Sequence, residues 1–107
     1  MSEDQLTPLP DSFLALYGGA SSHRARRLMQ PMDEVRARYE LCEDLAGHLV
    51  GSAQALHHDD GLAEEDVLLR CLQALQQPAS GLQPGEGAWV VQRLAELLRW
   101  TCPDLAA

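Results

Sequence analysis

The side chains best equipped for chemistry lie close together in the sequence: His57-His58-Asp59-Asp60, followed by Glu64, Glu65 and Asp66. Imidazole nitrogens and carboxylate oxygens are the usual donors to a divalent metal. A histidine beside acids can also move protons. The spacing departs from the familiar frameworks, since there is no HExxH and Gly61 is out of register with a calcium-binding loop. The same residues have a structural use. Protonated histidines near a helix C-terminus offset the negative end of the helix dipole. The metal candidates are His57, His58, Asp59 and Asp60, with Glu64 or Glu65 completing a shell. A metal-binding protein built on this cluster is therefore the alternative function.

Other chemistries find less support. The cysteines are Cys42, Cys71 and Cys102. An odd count with wide gaps matches neither a disulfide framework nor a zinc pattern, so idle thiols in a reducing compartment are expected. Cys42 falls on an apolar helix stripe, and His48, six residues on, points more than halfway around the helix. There is no Gly-x-Ser-x-Gly turn. All eight basic residues are Arg. Without lysine there is neither a Schiff-base nucleophile nor a complete phosphate-binding loop. No catalytic residues and no cofactor are expected, and the chain is read as a non-enzyme. Ile and Asn are absent as well as Lys. Their codons are AT-rich, which points to a GC-rich, bacterial genome.

The elements that position these residues are helical. Residues 1–9 are expected to form a loose tail. Pro10 and Gly18-Gly19 punctuate a short helix at about 11–17. Phe13, Leu14, Leu16 and Tyr17 make that helix too apolar to stand in water, so it should dock on its own domain or on a partner. Residues 18–32 read as a linker carrying the one basic run, His23-Arg24-Ala25-Arg26-Arg27. From Met32 to about His58, Val35, Tyr39, Cys42, Ala46, Leu49, Ala53 and Leu56 recur at spacings of three and four, one face of a helix. At 1.5 Å per residue it is about 40 Å long. Val67, Leu68, Cys71, Leu72 and Leu75 mark a second helix at about 64–77. Val90, Val91, Leu94, Leu97 and Leu98 mark a third at about 84–100. Ala63 and Gln83 are weak caps, each with an acid three residues on in capping-box fashion, so both starts are expected to fray. The fold class is all-α: a small bundle of three main helices plus a short N-terminal helix. Residues 1–32 are expected to form a flexible N-terminal segment and residues 33–102 the helical bundle.

Two surfaces could serve recognition. Gly47, Gly51 and Ala55 form a small-residue stripe on the long helix, where another backbone could approach. The glycines cost roughly 1 kcal/mol each against alanine inside a helix. Trp89 and Trp100, eleven residues apart, would lie within roughly 20° of each other on a continuous last helix, with Arg93 between them. Trp and Arg are enriched at binding hot spots, although both indoles could equally cap the edge of a small core. The partner-binding candidates are Phe13, Leu14, Leu16, Tyr17, Gly47, Gly51, Trp89, Arg93 and Trp100.

Length and charge narrow the classes further. The chain has 107 residues, 46% hydrophobic and 22% charged, which suits one globular domain. Its formal charge of −8 opposes nucleic acid and anionic membrane, with Arg24, Arg26 and Arg27 as a local exception. No run of eighteen apolar residues is present, and the opening MSEDQ is unlike a secretory signal. A cytoplasmic location is expected.

Three pieces of the chain, Asp11–Tyr17, Ala37–Ala46 and Trp89–Trp100, together resemble a family of short, uncharacterised proteobacterial proteins that sometimes carry the label "ATPase with chaperone activity". The resemblance covers most of the chain and brings no catalytic residues with it. It implies a chaperone-associated role. The missing phosphate loop and lysines argue against nucleotide hydrolysis by this chain alone. The expected function is a protein-interaction or adaptor module whose partner is another protein or a second copy, as a homodimer.

Overall fold

A computed structural model describes residues 9–17 and 32–105. The basic run His23–Arg27 and the linker around it lie outside the described residues. Among the described residues, four α-helices follow in order: α1 Asp11–Leu14, α2 Met32–His58, α3 Glu64–Leu75 and α4 Glu86–Leu98. Single 3-10 turns occupy Ala15–Tyr17 and Pro78–Ser80. No strand occurs among the described residues, and the all-α class holds. Among the described residues, no helix is long and apolar enough to cross a membrane. The chain divides into two compact units, Met1–Glu40 and Leu41–Ala107, and α2 runs through both.

In the first unit, α1 begins where Pro10 ends its extended stretch. The Phe13 and Leu14 amides both donate to the Pro10 carbonyl at 3.0 Å. Pro suits this entry because it has no amide hydrogen to leave unpaired. The turn that results buries Phe13 completely and Tyr17 almost so, while Leu14 and Leu16 stay half-buried. The Phe13 ring meets Tyr17 at 5.5 Å and Tyr39 of α2 at 5.6 Å, the second nearly edge-on at 72°. Both lie in the favourable range for aromatic pairs. The apolar N-terminal segment is thus docked on the first turns of α2.

In the second unit, the predicted apolar stripes become the core. Cys42, Ala46 and Ala53 of α2, Val67, Leu68, Leu72 and Leu75 of α3, and Val90, Val91 and Leu94 of α4 are all buried. The start of α4 lies against the end of α3. A Cβ built on Gly87 would sit 3.4 Å from the Leu75 Cβ. One inward assignment is corrected: Leu97 is exposed.

The helix ends also depart from expectation. The start of α4 is closed rather than frayed. The Glu86 carboxylate accepts the Gln83 amide at 2.8 Å while the Glu86 amide donates to the Gln83 carbonyl at 3.0 Å. These bonds form the return half of a capping box without a capping Ser or Thr. Glu86 is fully buried. At its far end α4 stops at Leu98, because Arg99 takes a left-handed conformation with φ 63°. The Arg99 amide donates to the Glu96 carbonyl and the Trp100 amide to the Ala95 carbonyl, the paired bonds of a Schellman turn. Glycine normally occupies that position, and any other residue there is strained by about 1–2 kcal/mol.

Candidate functional site

The Schellman turn sets up a concavity of the second unit. It sends the chain off the helix axis into the extended stretch Trp100–Leu105. An open groove of about 630 Å³ lies between that stretch and α4. Ala88, Gln92, Ala95 and Glu96 supply the helix side, at the three- and four-residue spacings of one face. Trp100, Cys102, Pro103, Asp104 and Leu105 supply the other.

Trp100 is therefore at a site, though not for the reason its spacing suggested. The helix ends before it, so Trp89 and Trp100 share no helical face. Trp89 is buried. Trp100 is half-buried and packs against the His57 ring, with centroids 5.2 Å apart.

His57 in turn joins several elements. Its Nδ1–H donates to the Leu62 carbonyl at 2.7 Å, holding the loop that leads into α3. Its Nε2 lies 4.0 Å from a Glu64 carboxylate oxygen, and its ring touches His58 at 5.0 Å. One ring nitrogen is thus committed to a backbone carbonyl. Asp59 and Asp60 are exposed. Among the described residues, no group of three or more His, Cys, Asp or Glu side chains is placed to hold a metal ion. Of this cluster, His57 alone links α2 to the Leu62 loop, to Glu64 of α3 and to Trp100 after α4 in these contacts.

Arg93 is likewise engaged within the chain. Its Nε donates to both carboxylate oxygens of Glu43 at 3.0 Å, and Nη2 reaches Glu43 at 2.9 Å. Nη1 donates to Glu96 at 2.9 Å. Hydrogen bonds to Glu43 and then to Glu96 push the guanidinium pKa further up from its already high value. This two-pronged arrangement ties α4 to α2 and fixes Glu96 at the groove rim. Glu43 was not singled out by sequence. It lies fifty positions from Arg93, and no local pattern connects them.

The environments of the thiols favour the protonated form or cover it. Cys42 is fully buried. Burial pushes the Cys71 thiol pKa up, and burial followed by the Glu96 charge does the same to Cys102 in the groove. Because the thiolate is the nucleophile, Cys71 and Cys102 should alkylate with iodoacetamide more slowly than a free thiol at neutral pH. The rate should climb as pH rises beyond 9, and Cys42 should label only on unfolding. Mass spectrometry of a labelling time course checks the order. Glu96→Gln should accelerate Cys102 alone.

Gly47 and Gly51 are exposed, and a Cβ on either would meet nothing within 4 Å. Gly47→Ala with Gly51→Ala should therefore raise stability by about 1–2 kcal/mol through helix propensity, as read by urea denaturation. A fall in stability that depends on protein concentration would instead reveal a second copy's backbone seated on the stripe.

No protein-family model, no curated protein and no solved structure matches this chain.

Proposed function

We propose that this chain is a small helical protein-interaction module, an adaptor that works by surface contact in the bacterial cytoplasm. The observation that carries this reading is the groove beside α4, with a half-buried indole on its wall. Its size falls within the range of sites that receive side chains or small ligands. Burial and the nearby Glu96 charge push the Cys102 thiol pKa up, which disfavours the thiolate form in the groove. The helix rim is held by the Arg93 clamp on Glu43 and Glu96, and a held rim lowers the entropic cost of binding. The family resemblance of the sequence fits an adaptor that serves a chaperone, since such a role needs no chemistry of its own.

The test is a photo-crosslinking residue introduced at Gln92 in the full chain, expressed in its native host. A discrete adduct with another protein supports the reading. An adduct with a second copy supports the homodimer form, which sedimentation equilibrium then checks. Labelling no stronger than from a crosslinker at Glu65, an exposed position of α3, would sink it.

A further inference from the structure

We propose that the groove beside α4 accepts a positively charged segment of a partner protein, with an arginine laid against the Trp100 indole between the Glu96 and Asp104 carboxylates. This rests on the interaction-module reading and adds the partner's chemistry to it.

The charged residues lining the groove, Glu96 and Asp104, are both acids. They stand on opposite walls, one on the helix and one on the extended stretch. The Glu96 side chain is 68% exposed although it pairs with Arg93. A carboxylate has about four lone-pair positions, so one ion pair leaves room for further donors. The field of Glu96 reaches into the groove, where it adds to burial in keeping the Cys102 thiol protonated. A cation entering the same space meets the opposite effect and is stabilised. The net charge of −8 draws cationic partners toward the chain from a distance.

The indole selects among cations. A guanidinium is planar, stacks on an aromatic face and forks its donors to carboxylates, whereas an ammonium is a compact, strongly hydrated point charge. The remaining wall residues Ala88, Ala95, Pro103 and Leu105 offer apolar surface for the aliphatic stem and for neighbouring residues. A volume of about 630 Å³ exceeds what one side chain fills, so a polypeptide segment fits better than a small free amine.

The probe is a capped pentapeptide with one arginine flanked by leucines, compared with the same peptide carrying glutamine or glutamate instead. The readout is the Trp100 indole N–H signal of the isotope-labelled full chain, assigned with Trp100→Phe. The arginine peptide should shift that signal saturably, bind at least about tenfold tighter than the glutamine peptide, and weaken as salt screens the pair. The glutamate peptide should leave the signal in place. Asp104→Asn, which leaves the Arg93 clamp intact, should cut arginine-peptide affinity several-fold, and adding Glu96→Gln should bring it to the glutamine level. Equal affinity for the arginine and glutamine peptides would overturn the proposal. So would arginine-dependent shifts centred away from the groove, or no shift at millimolar peptide. An adduct from position 92 together with charge-blind peptide binding would overturn this inference and leave the module reading standing. Absence of any adduct would remove the module reading itself.

Discussion

Phe13→Ala is expected to destabilise the unit that holds it by about 3–5 kcal/mol, the usual cost of emptying a fully buried aromatic site. Phe13 has no exposed surface and is the ring that Tyr17 and Tyr39 both contact. Removing it takes away buried apolar area and two aromatic pairs at once. The loss should appear first as proteolysis within residues 9–17, because a small unit can open without the rest of the chain. Phe13→Leu should cost far less, since it keeps most of the volume. The result also separates two roles for the segment. A docked element loses protection when Phe13 is truncated. A free arm that reaches for a partner would lose binding while protease sensitivity and denaturation midpoint stayed unchanged.

The second large effect is expected at Glu86. This carboxylate is fully buried and accepts the Gln83 amide at 2.8 Å. Glu86→Ala leaves that part-buried amide without its acceptor at the start of α4, and a buried polar group left unsatisfied costs up to about 1–3 kcal/mol. With the lost packing of the side chain, a total of about 2–3 kcal/mol is expected from urea denaturation. Glu86→Gln keeps an acceptor oxygen at the same reach and should recover much of the loss. Equal destabilisation by both substitutions would show that the negative charge, rather than the hydrogen bond, is what the site requires. Hydrogen exchange at the Gln83 amide should quicken in both variants, more in the alanine form.

Much of the helical framework was legible in the sequence because burial of one helix face imposes a period. Seven apolar positions from Val35 to Leu56 at three- and four-residue spacing give the long helix, and its observed limits match. The N-terminal segment was readable as apolar and in need of cover, but not what covers it. The Tyr39 ring lies more than twenty residues away across a linker. Glu86 was visible as an acid three residues past a weak cap. Its burial was not, because a capping carboxylate looks the same in sequence whether it faces water or a neighbouring helix. The end of α4 was misplaced because Arg99 carries no signal for a left-handed turn, and the apolar pattern continues through Leu98. The error carried into the pairing of Trp89 with Trp100. The groove itself depends on the path of a non-periodic stretch after that turn, which hydrophobic spacing does not encode. The basic run His23–Arg27 lies outside the described residues.

The left-handed residue at the end of α4 has one more consequence. Strain at a single hinge residue makes that point the cheapest place for the native state to yield, so excursions of Trp100–Leu105 away from α4 should be the most frequent opening of the second unit. Arg99→Gly should suppress them, raise stability by about 1 kcal/mol and slow amide exchange along the stretch. Relieving that strain should therefore hold Trp100–Leu105 more firmly against α4.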